Sequence, residues 1–203
     1  MSQFHGPAIG HWSPLQPPEV ATLLAGINRP WWIAGGWALD LFLGFQTRTH
    51  DDLDVGVLRR DVTDVAAHLR GWEFFEAQSN ALYRLEGSEA PRADVNSIWC
   101  RPRGEQRWSF ELLLDDARAD AWIFRRWPAL QMPLDKVIRR TPNGVPFLPP
   151  EIQLLYKARH PRTKDHSDFE RVLPRLGSGE RTWLCEALSR IDPGHAWLTV
   201  LRS

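Results

Sequence analysis

The chain has 203 residues, with 25 basic and 25 acidic side chains and therefore a formal net charge of zero. Its 43% hydrophobic and 25% charged residues are ordinary for a soluble globular protein with a sizeable core. The balanced charge excludes a global attraction to nucleic acid or to anionic membranes, although a local basic patch stays possible.

The cysteine content and the N-terminal residues give an expectation for the cellular compartment. The two cysteines, Cys100 and Cys185, lie far apart and suggest neither a disulfide framework nor a metal site. The N-terminal residues lack the basic start and apolar run of a signal peptide, and no stretch is long enough to span a bilayer. We therefore expect a cytoplasmic protein with no membrane partner.

The first half of the chain alternates helices and strands. In chain order, an irregular arm over residues 1–18 is followed by helix 19–27, strand 31–34, helix 37–43, strand 52–58 and helix 62–69. Gly44 is placed to end the second of these helices, and Asp61 to cap the N-terminus of the third.

The second half changes character twice. Short strands are predicted at residues 72–75, 81–85, 95–99, 108–114 and 122–124. Beyond a turn-rich stretch at residues 141–146, helices are predicted at 151–159, 164–176, 180–191 and 197–201. We predict an α+β N-terminal domain over residues 1–140 and a helical C-terminal domain over residues 141–203.

Two aspartates in the strand at residues 52–58 are the most informative feature. Side chains alternate along a strand, so Asp52 and Asp54 share a face, with Cα atoms roughly 6.6 Å apart at about 3.3 Å per residue. Like charges on one face repel unless something neutralises them, and Mg²⁺ prefers carboxylate oxygens together with substrate phosphates. The pattern predicts a magnesium site; the alternative is an edge strand whose acidic face discourages pairing.

The Gly35-Gly36 pair lies between a strand and a helix. Glycines there let the backbone approach a phosphate, to which the helix N-terminus contributes its positive end. A structural turn is the alternative, and the acidic strand that follows within about twenty residues favours phosphate binding.

A third carboxylate is expected from a neighbouring strand. Glu111 is the best candidate because it interrupts an apolar strand, where a glutamate needs a partner. Asp94 and Asp115 are rivals, and Glu111 can also be an ordinary outward-facing residue.

Residues 35–54 carry a resemblance to a known family. They read Gly-Gly-Trp-Ala-Leu-Asp at 35–40 and His-Asp-Asp-Leu-Asp at 50–54. This spacing resembles the DNA polymerase β-like nucleotidyltransferase superfamily, and within it the aminoglycoside and lincosamide nucleotidyltransferases. Residues 122–126, 150–158 and 193–197 also look like family segments, so the resemblance covers nearly the whole chain.

The resemblance implies a nucleotidyltransferase fold, a mixed sheet flanked by helices, with a C-terminal helical bundle. It implies Mg²⁺-dependent transfer of a nucleoside monophosphate, with AMP from ATP expected, to a hydroxyl on a small polar acceptor. By position, Gly35 and Gly36 hold the triphosphate, and Asp52 and Asp54 bind Mg²⁺, with two ions expected. Glu111 takes the third acidic position, as metal ligand, general base or both.

Several further side chains have expected roles around this site. Lys157 can reach the triphosphate as a compact positive charge. Arg48 contacts phosphate or anchors the acidic loop through Asp51 or Asp40, and His50 orders that loop by a hydrogen bond. An intrahelical ion-pair network is expected from Lys164, Asp165 and Asp168.

The acceptor is the most open part of the interpretation. The resemblance alone suggests an antibiotic as the acceptor. The cationic groups of such a molecule would need acidic pocket residues, and the candidates are Glu73, Glu76, Asp115, Asp116 and Asp120. A tRNA or protein acceptor is the second hypothesis, and a basic patch of Arg101, Arg103, Arg107, Arg125 and Arg126 would favour RNA. A non-catalytic nucleotide-binding module is the third.

Overall fold

The structure is a computed structural model that describes residues 3–4, 11–79, 81–86 and 89–203, with residues 3–4 described by their backbone only. The irregular arm expected over residues 1–18 therefore lies partly outside the described residues. Within them, the first helix already begins at Pro17.

Seven helices and eleven strands are present in the described residues. The helices are α1 (Pro17–Leu23), α2 (Gly35–Leu43), α3 (Val62–His68), α4 (Pro150–Ala158), α5 (Thr163–Val172), α6 (Ser178–Ile191) and α7 (Trp197–Leu201). The strands are β1 (Gln3–Phe4), β2 (Trp31–Ile33), β3 (Asp54–Leu58), β4 (Trp72–Gln78), β5 (Ala81–Arg84), β6 (Ser97–Pro102), β7 (Phe110–Arg118), β8 (Ala121–Ile123), β9 (Gln131–Pro133), β10 (Arg139–Arg140) and β11 (Pro146–Phe147).

All of these strands belong to one mixed sheet. Its order is β1-β5-β4-β6-β7-β3-β2-β11-β10, and β8 and β9 extend from β7. The β3–β7 and β2–β11 pairs are parallel, whereas the other pairs are antiparallel. The predicted α+β class is confirmed, and the sequence pattern did not show β9, β10 or β11.

The centre of the sheet separates a core from an open face. Val55 and Val57 on β3, and Leu112 and Leu114 on β7, are fully buried. Because side chains alternate along a strand, the residues between them point to the opposite face. That face carries the polar groups of the candidate site.

Helices α4 to α7 follow the sheet in sequence, and α4 contacts α2, α5 and α6. Pro149 and Pro150 fix the backbone at the start of α4, where a missing N–H costs nothing. The division at residues 140 and 141 stays a prediction, and β11 beyond it pairs with β2 through Phe147. No helix in the described part of the chain is long and apolar enough to cross a membrane.

Candidate active site

A cleft of about 390 Å³ lies between the open face of the sheet and residues of α4 and α5. The acidic residues that line it are Asp52, Asp54, Asp115 and Asp165. The basic ones are Arg48, Arg125, Arg126, Lys157, Arg159, Arg162 and Lys164, together with His160. The cleft therefore brings together residues from both halves of the chain.

Gly35 is the first residue of α2 and faces Asp54 directly. Its φ is +64°, in the left-handed region that glycine adopts without strain. A Cβ at this position would lie 2.1 Å from Asp54 Oδ2, so the close approach requires glycine. Both glycines of the pair belong to the first turn of α2, which begins two residues earlier than the sequence pattern indicated.

Gly36 permits a second close approach. A Cβ there would lie 2.4 Å from both Arg48 Nη2 and His50 Cε1, so a side chain would displace these groups. The amides of Gly36 and Trp37 lie in the first turn of α2, where helix geometry provides no intrahelical acceptor. The two glycines thus bring an open helix N-terminus to the wall of the cleft.

Asp52 and Asp54 both line the cleft, although they do not share a strand. β3 begins at Asp54, two residues later than expected, and Asp52 precedes it in irregular backbone. Asp52 is exposed, whereas Asp54 is half-buried. Burial, reinforced by the negative charges of Glu111 and Asp52, raises the pKa of Asp54 to about 8.

Glu111 lies directly beside Asp54 on the neighbouring strand, because the two are Cα partners in the parallel β3–β7 pair. Ser97 Oγ donates a hydrogen bond of 2.5 Å to Glu111 Oε1. Burial raises the pKa of Glu111 despite this bond, and the charge of Asp52 adds to the increase. The rival Asp94 is exposed and accepts a hydrogen bond from Gln78 instead.

These carboxylates suit a hard dication in their chemistry. Asp52, Asp54 and Glu111 offer only oxygen donors, and burial together with the charges of Glu111 and Asp52 raises the pKa of Asp54, an effect that a cation would offset. In the residues that the structure describes, no three His, Cys, Asp or Glu side chains are already arranged to hold a metal ion. The donor set therefore fits an ion such as Mg²⁺, whose remaining ligands are commonly waters and substrate phosphates.

The loop before β3 is held by buried polar contacts. His50 Nε2 lies 2.6 Å from Asp40 Oδ2, and the imidazole packs 4.4 Å from the Trp37 ring. Thr47 donates to the other Asp40 oxygen at 2.6 Å. Burial alone would raise the pKa of Asp40, but its bonds to His50 and Thr47 outweigh burial and lower it. This geometry agrees with the hydrogen-bonding role expected for His50.

Arg48 has a partner that the sequence did not indicate. Its Nε lies 3.3 Å from Oδ1 of Asp168 on α5, and neither Asp51 nor Asp40 is its partner among the described residues, so that part of the expectation is wrong. Because Asp168 is also 3.0 Å from Lys157, one buried carboxylate links α4, α5 and the loop before β3.

Lys157 lines the cleft, and its ammonium group is paired with buried carboxylates. Its Nζ lies 2.7 Å from Asp165 Oδ1, and its side chain is 8% exposed. Arg162 also binds Asp165, at 2.9 Å. The intrahelical pairing expected for Lys164 is wrong, since Asp165 and Asp168 pair with other residues, and in the described part of the chain Lys164 makes no ion pair.

Two side chains of α4 contribute to the site without having been singled out from the sequence. Gln153 Oε1 accepts a hydrogen bond of 2.8 Å from the Gly35 amide. Tyr156 donates from its hydroxyl to Asp115 Oδ1 at 2.9 Å. The available signal was that both interrupt the apolar run of α4, where a polar side chain needs a partner.

The acidic residues expected to bind a cationic acceptor do not form a pocket. Glu73 pairs with Arg84 and Arg101, Glu76 with Arg92, and Asp116 with Arg59. Asp120 lines a separate surface depression. Only Asp115 of this set lines the cleft, among the residues that the structure describes.

The basic patch that would favour RNA is also not assembled. Arg101 is bound to Glu73 and lies over the Trp108 ring, and Arg103 lines a different cavity from Arg125 and Arg126. The arginines singled out in the sequence are therefore divided between separate parts of the surface.

Comparison with known proteins agrees with this architecture. A family model described as aminoglycoside-2''-adenylyltransferase matches residues 18–100. The solved structure of ANT(2'')-Ia in complex with adenylyl-2''-tobramycin superposes with a TM-score of 0.56 at 19% identity, covering 86% of this chain and 97% of that one. The chain has the nucleotidyltransferase fold.

Three further relatives are similar to parts of the chain. The lincomycin-bound lincosamide antibiotic adenylyltransferase LnuA superposes with a TM-score of 0.52 at 16% identity, covering 75% of this chain and 90% of that one. The 2''-aminoglycoside nucleotidyltransferases of Escherichia coli and Klebsiella pneumoniae are 61% identical over 28 residues. That match spans 14% of this chain and 16% of each relative. The resemblance to aminoglycoside and lincosamide nucleotidyltransferases is thereby confirmed.

Proposed function

We propose that the protein is a Mg²⁺-dependent nucleotidyltransferase that moves a nucleoside monophosphate, AMP from ATP, to a hydroxyl of a small acceptor. The observation that carries the proposal is the pairing of Asp54 with Glu111 on the cleft side of the sheet, directly against Gly35. Aminoglycosides and lincosamides, named for the solved relatives, are acceptor candidates, as are other hydroxyl compounds.

Asp52 and Asp54 would hold the metal, with Glu111 as third ligand or as base. Bound Mg²⁺, with two ions expected, supplies charge stabilisation to the attacking and leaving oxygens of an in-line displacement. Glu111 would accept the proton of the acceptor hydroxyl, a contribution of about 10²–10⁴-fold for a general base. The acceptor oxygen then forms a bond to the α-phosphorus as the bond to pyrophosphate breaks.

The triphosphate would lie against the N-terminus of α2. The amides of Gly36 and Trp37 lie in the open first turn of α2, Arg48 Nη2 lies against Gly36, and the helix dipole favours negative charge there. Arg48 and Lys157 would add positive charge as parts of the network around Asp168, and both are held in place before a nucleotide binds. Positioning and electrostatic stabilisation would supply most of the rate.

Isotope position tests the reaction directly. The protein is incubated with Mg²⁺, an acceptor panel and ATP labelled at either the α- or the γ-phosphate. We expect the α label in the acceptor product and the γ label in pyrophosphate. Transfer of the γ label would show a phosphotransferase instead, and absence of both transfer and Mg²⁺-dependent ATP binding would contradict the proposal.

A further inference from the structure

An arginine cluster forms the cleft wall beyond the carboxylates. Arg125 and Arg126 follow β8, Arg159 follows α4, and all three line the cleft beside Tyr156. The guanidinium carbons of Arg125 and Arg126 lie 5.5 and 5.3 Å from the centre of the Tyr156 ring. The ring therefore supports two cations at one end of the cavity.

These cations lack the partners that neutralise the other arginines of the cleft. Arg48 and Arg162 bind Asp168 and Asp165. Among the described residues, by contrast, no carboxylate forms an ion pair with any member of the arginine cluster. Arg126 donates to the Tyr156 carbonyl, and Arg125 Nε is buried with no hydrogen-bond partner in the described part of the chain.

The adjacent carboxylate of Asp115 forms no ion pair with the arginine cluster in the described part of the chain, although its charge and that of Arg125 attract each other. Asp115 accepts hydrogen bonds from Trp122 Nε1 at 3.0 Å and from the Tyr156 hydroxyl at 2.9 Å. Each of its oxygens therefore already accepts one hydrogen bond. A buried donor without a partner, beside like charges, is unfavourable unless an anion binds.

The arginine cluster lies along the sheet from the proposed triphosphate position. Gly35, at the start of α2, faces Asp54, whose register partner on β7 is Glu111. Tyr156, whose ring Arg125 and Arg126 cover, instead donates to Asp115, which is four residues further along β7, or roughly 13 Å at about 3.3 Å per residue. The proposed triphosphate position and the arginine cluster are therefore separate.

The described residues of the cleft also leave no free carboxylate for an ammonium group. Asp52 and Asp54 are assigned to the metal, Asp115 accepts a hydrogen bond at each oxygen, and Asp165 is ion-paired. A polycationic acceptor would meet the arginine cluster without compensation, whereas a carboxylate or phosphate would receive charge-assisted, bidentate hydrogen bonds.

We propose that the acceptor is a small hydroxyl compound that itself carries a carboxylate or phosphate, which Arg125 and Arg126 bind while its hydroxyl faces Glu111. This inference rests on the proposed nucleotidyl transfer and specifies its acceptor. It assigns Arg125 and Arg126 to specificity for the acceptor and not to binding of the triphosphate.

A matched set of probes tests which sign of charge the cleft prefers in the acceptor. The protein is first saturated with Mg²⁺ and a non-hydrolysable ATP analogue, and calorimetry confirms the loading. Glucose 6-phosphate, glucose and glucosamine are then titrated into the complex, since they share one hydroxyl skeleton with negative, zero and positive charge. We expect glucose 6-phosphate to bind about 10–100-fold more tightly than glucose, and glucosamine most weakly. Equal affinities, or preference for glucosamine, overturn the inference.

Variants then test whether Arg125 and Arg126 cause this preference. Arg125→Gln and Arg126→Gln should each weaken glucose 6-phosphate binding about tenfold or more and leave affinity for the ATP analogue unchanged. Arg118→Gln is the matched control, because Arg118 is exposed at the end of β7 and does not line the cleft. Weakened binding of the ATP analogue with unchanged glucose 6-phosphate binding would assign the cluster to the triphosphate and overturn the inference. Failure of the initial loading would instead contradict the proposed function.

Discussion

At the scale of single residues, Asp54 has an environment that a bound cation would make more favourable. It is half-buried beside Glu111, and burial with that neighbouring charge raises its pKa to about 8. Ordinary structural aspartates avoid such surroundings, because crowded like charges cost stability. The position therefore points to function more directly than the sequence motif alone.

Asp54→Asn separates the enzymatic interpretation from a non-catalytic nucleotide-binding module. We expect the variant to lose at least about 10²-fold in kcat, because it replaces a proposed metal ligand with a neutral side chain of nearly the same shape. Steady-state kinetics with saturating Mg²⁺ and ATP measure the loss. Unchanged turnover would favour the non-catalytic module.

The same variant should not weaken the fold. A carboxyl group whose folded-state pKa is raised loses its stabilising contribution as the pH rises from about 4 towards about 8. Asparagine has no such titration, so the metal-free variant should melt no lower than the metal-free parent at pH 8. A lower Tm would mean that lost turnover reflects misfolding.

Gly35→Ala tests the close approach of α2 to β3. The added Cβ would lie 2.1 Å from Asp54 Oδ2, at a φ of +64° that alanine adopts only with strain. We expect a destabilisation of about 1–3 kcal/mol together with loss of activity. Gly26→Ala is the control, since Gly26 has a similar φ of +79° and its added Cβ would meet none of the described residues within 4 Å. Chemical denaturation compares the two, and equal effects would leave the contact with Asp54 unsupported.

Residue patterns predicted the strand face of Glu111, but they did not predict the partners of the charged residues. Period-two alternation places Glu111 on the same face of β7 as Leu113 and Asp115, which line the cleft, and this needs only local sequence. The partner of Arg48 could not be predicted in this way, because Asp168 lies 120 residues away on another element. The partners of Glu73 and Glu76 are likewise set by strand pairing.

At the scale of elements, α4 and α5 are joined by buried charges. Lys157 on α4 and Asp165 on α5 have side chains that are 8% and 3% exposed, and their atoms lie 2.7 Å apart. Burial alone would raise the pKa of Asp165, but hydrogen bonds from Arg162 and Lys157 outweigh it and hold the pKa well below its usual range. This ion pair fixes the helices that form one wall of the cleft.

Asp165→Asn should therefore destabilise the protein at neutral pH. Removing the last partner of a buried charge costs about 3–5 kcal/mol. Lys157 would keep Asp168 at 3.0 Å, so we expect a loss below that range but larger than that of an exposed pair. Asp64→Asn is the control, because its pair with Arg29 is exposed and screened by solvent. Urea denaturation measures both, and similar losses would show that burial of the pair does not matter.

The pH dependence of this loss has a defined sign. Because folding lowers the pKa of Asp165, its contribution is complete at a pH above the unfolded value of about 4 and declines as the pH falls below it. The difference in stability between parent and Asp165→Asn should shrink below about pH 4. A difference that grows in acid would contradict the assignment.

Long periodic elements were predicted well, and short paired ones were not. The helices α4, α6 and α7 lie within two residues of their predicted bounds, because each buries an amphipathic face. The strands β10 and β11 have two residues each, too few to show a period, and exist only through their pairing. Asp61 precedes α3 as expected, but its side chain makes no capping hydrogen bond within the described residues and lies 3.5 Å from Arg29.

At the scale of the molecule, the catalytic proposal depends on both halves of the chain. The sheet supplies the carboxylates and α2 the glycines, while α4 and α5 supply Gln153, Lys157 and the opposite wall. The sequence predicted the α+β class and the nucleotidyltransferase-like fold, but it could not predict the charge of the cavity. That charge depends on which side chains are already paired in the folded protein.

Isothermal titration of ATP into the protein, with and without Mg²⁺, tests the central claim most directly. If Asp52 and Asp54 bind the metal on which nucleotide binding depends, saturable binding should occur with Mg²⁺. It should weaken strongly in EDTA and in Asp54→Asn, and persist in the Arg118→Gln control. Binding of ATP that is indifferent to both Mg²⁺ and Asp54→Asn, or no binding at all, would contradict the account.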